Sequence, residues 1–472
     1  MGSYAKPEST LVLDPTSTEY ERYRTRIYNA RHPDRKPVEI VVPLTTTDVT
    51  SAVKRAKEKG LKVGVRSGGH LFAAPAVIEQ GLLIDVKFLN KDIQYDPVSQ
   101  ILTFSPGHTV EELAGHCGKI GRFFPYGHSR TVGAGGFLLT GGQGLFCRGH
   151  GYTYESWVTQ IEVVTPNGEV VIANKTDNHD LFWAAGGCGQ GFFGVLTRVW
   201  GRTDRLRKLF DTTYVLDSTD HFKPLLKWAI ELAERIPKQQ VDYFIGTMYA
   251  DGQGLGDDES RAKRVLMLIN ITIGCDSIEE AKTLAAPLDT LPEEFRKIVV
   301  SQIPMQEREF EALWDLQDKF IPGGNGERYR VESVLVGFDA SDDEIVDKAE
   351  AALLKLPTRK ATGALAIVDS RPDENIQALS LPSRLMISSM VCYQDPSLDA
   401  KMDKWALDTY TEIEKLGLGQ HAGDFDVNQR VSKIMTDSAL TKWLKIREKY
   451  DPDEMFIGYR GFQKSLERKW NR

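Results

Sequence analysis

The chain is short of cysteine, of net charge and of long apolar runs, and each shortage removes a class of protein. The five cysteines, Cys117, Cys147, Cys188, Cys275 and Cys392, are scattered, odd in number and free of any CxxC pair. That pattern excludes a disulfide framework and a structural zinc site, and predicts buried thiols with no metal. Basic side chains number 59 and acidic ones 66, a net charge of -7. Such a balance gives no electrostatic reason to expect nucleic acid as a partner. No run of 18 apolar residues occurs, so neither a transmembrane helix nor a membrane partner is expected. Met1 to Pro15 lacks the apolar centre of a signal peptide, and the chain reads as cytoplasmic. The common catalytic signatures are missing as well. Neither GxxxxGK[ST] nor HExxH occurs, and Gly127-His-Ser-Arg-Thr131 ends in threonine where GxSxG requires glycine. Gly189-Gln-Gly-Phe-Phe-Gly194 matches GxGxxG in letters only. It leads from a helix-like stretch into a strand, the reverse of a dinucleotide fingerprint.

What is present suggests more than one domain, since 472 residues exceed a single ordinary core. Strand-like runs at Glu39 to Pro43, Lys62 to Arg66, Leu82 to Val86 and Ile101 to Phe104 alternate with helical segments. One helix follows Thr47-Asp48, with Val49, Ala52, Val53 and Ala56 on a single face. Another opens on the capping box Thr109-Val-Glu-Glu112. Past about Thr203 glycine thins out. Apolar strands are expected at 241–250, 264–273, 330–338, 363–368 and 384–393. Between them lie helices that include the boxes Ser277-Ile-Glu-Glu280 and Ser341-Asp-Asp-Glu344. This second texture predicts an α+β unit with one large antiparallel sheet backed by helices. A last helix is expected at 438–449.

Three glycine-bearing segments carry the chemistry. Val65-Arg-Ser-Gly-Gly-His70 follows a strand. Its glycines allow close approach to a ligand, its backbone N–H groups suit a pyrophosphate, and Arg66 and Ser67 add donors. Thr131-Val-Gly-Ala-Gly-Gly136 and Thr140-Gly-Gly-Gln-Gly144 place six glycines between 133 and 144, too many for a packed strand or helix. The apolar residues between them, Val132, Phe137, Leu138, Leu139 and Leu145, argue against a solvent-exposed loop. The third segment is Asp180-Leu-Phe-Trp183 with Gly186 to Gly194.

Taken in order and spacing, these segments resemble the PCMH-type FAD-binding domain of the vanillyl-alcohol oxidase superfamily, and most closely its berberine-bridge-enzyme-like branch. The likeness begins at Arg26-Ile-Tyr-Asn29 and includes Leu82 to Val86, Ile161 to Val171 and Phe192 to Thr197. It returns at Lys449-Tyr-Asp-Pro452. The resemblance implies an FAD-binding domain in two parts, residues 1–205 and 425–472, around a substrate domain at 206–424. It implies FAD tethered covalently through His70, whose imidazole bonds to the flavin 8-methyl carbon. Arg66, Ser67, Gly68 and Gly69 would cradle the pyrophosphate. Val132, Gly133, Gly135, Gly136, Gly141, Gly142 and Gly144 would line the cofactor, with Ser129 and Asn428 as further contacts. Ser129 stands where some relatives carry a second tethering cysteine, so one covalent bond is expected. Phe137, Glu155 and Pro382-Ser-Arg384 also depart from the family pattern.

The implied activity is that of an oxidase. It takes hydride from a small organic alcohol, amine or natural-product intermediate and passes electrons from the flavin to O2. A flavin-retaining non-redox cyclase or pericyclase is the alternative. A base must lie within hydrogen-bond reach of the substrate. Tyr243, Tyr249, Glu332 and Asp369, on the strands of the second unit, are the candidates for it.

Overall fold

The computed structural model describes residues 4–252, 264–424, 426 and 430–458. Its first sheet has four strands in the order Leu11–Leu13, Glu39–Val42, Leu82–Asp85, Val63–Arg66. The last two pairings are parallel. Leu82 to Asp85 is buried throughout, as expected for a parallel strand covered on both faces. The helix Thr46–Glu58 buries Val49, Ala52, Val53 and Ala56 against this sheet. Its cap is Thr45, earlier than the Thr47-Asp48 cap expected, because Asp48 serves as the third-residue partner of the capping box. The helix Val110–Lys119 has the Thr109–Glu112 box expected of it.

A five-stranded antiparallel sheet follows, in the order Gln94–Asp96, Ile101–Phe104, Val195–Arg202, Val158–Val164, Val170–Asn174. The loops between these two sheets carry the glycine segments. One correction falls here, because Ala134–Leu139 is a short helix despite Gly135 and Gly136. A side chain at Gly135 would sit 2.8 Å from Pro106 Cβ, so the helix needs glycine for close packing against its neighbour.

The large antiparallel sheet has eight strands. Their order is Val299–Arg308, Lys208–Asp217, Val265–Cys275, Val241–Tyr249, Thr362–Ser370, Ser383–Tyr393, Arg328–Val336, Gly417–Gly419. The helices Phe222–Arg235, Ile278–Ala285, Asp342–Leu353 and Asp399–Ile413 bury their apolar sides on one face of it. Three strands escape sequence patterning, the short edge strand Gly417–Gly419 among them. Lys208–Asp217 interrupts its apolar residues with Asp211, Thr212 and Thr213. Val299–Arg308 is a largely exposed edge strand that includes Pro304, a residue only an edge tolerates. Ser341 and Glu344 form a full capping box. At Ser277 only the hydroxyl half is made, and the Glu280 carboxylate accepts instead from Asp276 N.

After Gly419 the chain returns to the first unit. Helix Asp437–Tyr450 packs on His179–Ala185, with Trp443 Nε1 donating to Ala184 O at 3.2 Å. Phe456 then bridges to Val63 at the edge of the four-stranded sheet. All five cysteines are buried. No helix among the described residues is long and apolar enough to cross a membrane.

The first unit is knotted at Asp85, which ends its strand fully buried. Arg26 grips it with Nε at 2.7 Å and a terminal nitrogen at 2.6 Å, and Arg66 reaches it at 2.7 Å. Burial pushes the Asp85 carboxyl up, but the two guanidinium groups outweigh it and hold the group below the usual carboxylate range. A depressed folded-state value contributes stability above the unfolded pKa, lost as pH falls through the folded one. Asp85→Asn leaves two buried cations uncompensated and should cost about 3–5 kcal/mol in chemical denaturation at neutral pH. The gap to the parent protein should narrow below about pH 4. A pH-independent gap would show that the pairing is not its source.

Candidate active site

Between the glycine loops and the face of the eight-stranded sheet without helices lies a cavity of about 530 Å³, in the range of small-molecule sites. One wall is the stretch from Arg66 to His70, together with Ser129, Val132, Gly133, Gly135, Gly136 and Gly144. Gly141 and Gly142 stand behind it. Their φ angles are +96° and +76°, and their carbonyls accept from Tyr154 N and Thr153 N. Asn428 lies outside the described residues.

Most of the glycines serve contact between backbones rather than an exposed nest. A Cβ on Gly68 would lie 2.4 Å from Gly133 N, and one on Gly133 would lie 2.2 Å from Ser67 Oγ. Two segments more than sixty residues apart therefore cross at atomic contact because neither carries a side chain at the crossing. Gly69, at φ +79°, runs as closely past Arg26 O. Gly136 is the exception, since a Cβ there would meet nothing within 4 Å. The side chains of Arg66 and Ser67 are not the donors expected. Arg66 is held by Asp85 and the carbonyls of Tyr23 and Arg24. Ser67 Oγ donates to Pro106 O. The loop therefore offers the cavity its backbone and the His70 side chain.

The crossing sets His70 beside Thr131, with Nε2 and Thr131 Oγ1 2.8 Å apart. Tyr28 stacks on the imidazole at 4.5 Å between centroids and is itself anchored through its hydroxyl to Ile321 O. Burial drives the His70 pKa down to about 3, so the ring is neutral at any physiological pH.

The four residues expected to supply a base are turned elsewhere. Tyr243 touches the cavity wall, but its hydroxyl donates to Ala229 O at 2.7 Å and its ring belongs to the helix-backed core. Tyr249 donates to Leu356 O. Glu332 is buried in ion pairs with Arg330 and Arg430, and Asp369 pairs with Lys238. Strand parity explains the first of these. Val241, Tyr243 and Ile245 face the helices, which leaves Asp242 and Phe244 on the cavity side. That alternation was readable in VDYFI. Asp242 Oδ2 meets His128 Nε2 at 2.7 Å across the cavity. Desolvation works against the charged form, but the side chain is 43% exposed and the Asp242 charge outweighs it, so the net shift of the His128 pKa is upward. A second polar corner holds His421 and Asp424. His421 Nδ1 accepts from Gly423 N at 3.1 Å, which puts the ring proton on Nε2.

The lining suits FAD on the observed geometry. Gln143 Oε1, Thr247 Oγ1 and His421 Nε2 are buried, border the cavity and have no hydrogen-bond partner among the described residues. Such atoms call for a polar partner, which a bound ligand or ordered water supplies. The open space over Gly136 and the neutral His70 accommodate a flat ring system.

Comparison with known proteins agrees. Residues 37–174 match the model of the FAD binding domain. The chain is 29% identical over 451 residues to the FAD-linked oxidoreductase janO of Penicillium janthinellum, covering 93% of this chain and 95% of that one. It is 28% identical over 455 residues to the FAD-linked oxidoreductase nodO of Hypoxylon pulicicidum, covering 94% and 95%. Among solved structures, 6-hydroxy-D-nicotine oxidase from Arthrobacter nicotinovorans superposes with a TM-score of 0.79 at 18% identity, over 97% of this chain and 99% of that one. The carbohydrate oxidase of Microdochium nivale gives 0.77 at 22% identity, over 96% of both chains. Residues 37–174 thus match an FAD binding domain, and the α+β fold around them is shared with those two solved structures.

Asp242→Asn removes the charge that raises His128. The His128 pKa should then fall from its value in the parent protein, measured by NMR titration of the ring protons. An unchanged titration would show that the pair is not formed in solution.

Proposed function

We propose that this protein is a berberine-bridge-enzyme-like oxidase that holds FAD covalently through His70, oxidises a small and largely apolar organic molecule, and uses O2 as the final acceptor. The observation that carries the reading is the convergence of His70, the crossed glycine segments and the face of the large sheet on one cavity. Bound FAD supplies a two-electron acceptor. The protein's own residues do the rest. The backbone of Ser67 to His70 and of Val132 to Gly136 holds the cofactor, and His70 prevents its loss.

The far wall positions the substrate. Phe244, Leu268, Met386 and Met390 come from the sheet, and Phe310, Leu313 and Leu316 from the helix Phe310–Phe320 above it. These side chains suit the apolar part of a substrate, while Thr213, Asn270, Thr272 and Ser388 on the same wall can meet its polar groups. Asp242 Oδ2 and His128 Nε2 share a hydrogen bond there. The pair is placed to take a proton from a substrate hydroxyl or amine as hydride leaves.

The purified protein should be yellow. Under anaerobic conditions its visible absorption should bleach with a subset of apolar ring-bearing alcohols and amines, and admitted air should restore the colour with release of hydrogen peroxide. Turnover of an apolar compound with no bleaching would instead support the non-redox cyclase reading. A colourless protein that takes up no FAD would refute both.

A further inference from the structure

His70 sits in a more specific environment than a tether alone requires, and this environment differs between its two ring nitrogens. Nε2 lies 2.8 Å from Thr131 Oγ1. Among the described residues Nδ1 has no hydrogen-bond partner. The ring plane is fixed by Tyr28, stacked at 4.5 Å with 27° between planes. Thr131 in turn is placed by the glycine crossing, since Gly133, two residues on, lies against Gly68, two residues before His70. The two loops bring one acceptor-bearing side chain to one edge of one imidazole.

We propose that Thr131 is the positioning residue for flavin attachment: it holds the His70 proton on Nε2, so that Nδ1 presents its lone pair to the 8-methyl carbon of the isoalloxazine. This rests on the covalent-FAD reading above and adds to it the nitrogen that bonds and the residue that selects it. In the net step the Nδ1–C bond forms, while one C–H bond of the methyl group and the Nε2–H bond break. The two protons and two electrons released go to dioxygen, giving hydrogen peroxide. Positive charge grows on the imidazole as Nδ1 bonds to carbon, and the hydrogen bond from Nε2–H to Thr131 strengthens at that moment. Thr131 thus acts through His70 and not on the flavin. An apolar residue of the same shape cannot take its place in this step.

The test compares the parent protein with Thr131→Val and Thr131→Ser. Each is expressed, incubated with FAD in air, and sampled for flavin that survives acid precipitation. The attachment site is read by mass spectrometry of the His70 peptide. Loss of a hydrogen bond to a charging group predicts attachment slowed about 10- to 100-fold in Thr131→Val. The dissociable FAD it binds reports that it has folded. Thr131→Ser should recover most of the rate, a rescue that a purely structural role would not give. Equal rates in the parent protein and Thr131→Val would overturn the proposal.

A second measurement needs no variant. The histidyl-flavin released by proteolysis of the parent protein should be the Nδ1 isomer by NMR, and the Nε2 isomer would overturn the proposal even if Thr131→Val failed to fold. If the parent protein binds FAD but loses all of it to acid, the covalent reading itself fails and this inference falls with it. That result is distinguishable from a tethered flavin indifferent to Thr131.

Discussion

One buried carboxylate organises the site. Asp85 holds Arg26 and Arg66 at the end of a parallel strand, and those guanidinium groups do more than neutralise it. Arg26 also donates to the carbonyls of Ser67 and Gly68, and Arg66 to those of Tyr23 and Arg24. The chain from Tyr23 to Arg26, the strand end and the loop that delivers His70 are thereby clamped together without a side chain entering the cavity. Charges this deep are worth little as a net contribution to stability, but removing one partner is costly. The cluster is best understood as a register device. It sets the loop's path, and the path sets where the histidine and its threonine meet.

Much of this was legible in the residues. Patterning places four strands of the first unit, at 39–43, 62–66, 82–86 and 101–104, to within a residue or two and misses the short Leu11–Leu13 and Gln94–Asp96, and the α+β character of the second unit follows from its apolar runs and capping boxes. The three glycine segments were readable as parts of one site, although the reason they need glycine was only half visible. Sequence reasoning expected a ligand against the glycines, and the structure shows backbone against backbone at Gly68 and Gly133, with Gly136 left facing open space. Long-range crossings of this kind leave no local signature, because the partner that excludes the side chain is far away in the chain.

The misplaced catalytic candidates have a different cause. Tyr243 and Glu332 were chosen for chemistry and strand membership, and parity then turned both into the helix-backed side. A one-residue shift exchanges the faces of a strand completely, so Tyr243 stands next to Asp242 in the chain and points away from the cavity that Asp242 faces. Its partner His128 comes from a loop more than a hundred residues away, and no periodicity reports that meeting. Arg66 illustrates the same limit. A guanidinium beside a glycine loop suggests phosphate, but burial beside Asp85 decides otherwise.

The cavity sets a neutral imidazole at one end, a histidine–aspartate pair on the opposite wall, and a histidine and an aspartate in one corner, with apolar side chains, threonines and Asn270 between. The account depends on a single dinucleotide lying along that line. A crystal structure of the yellow protein tests it most directly. It should show unbroken density from His70 Nδ1 to the edge of an isoalloxazine ring lying over Gly136, with its other face toward Asp242 and Phe244. Flavin bound elsewhere on the chain, or a ring whose opposite end meets His70, would contradict it.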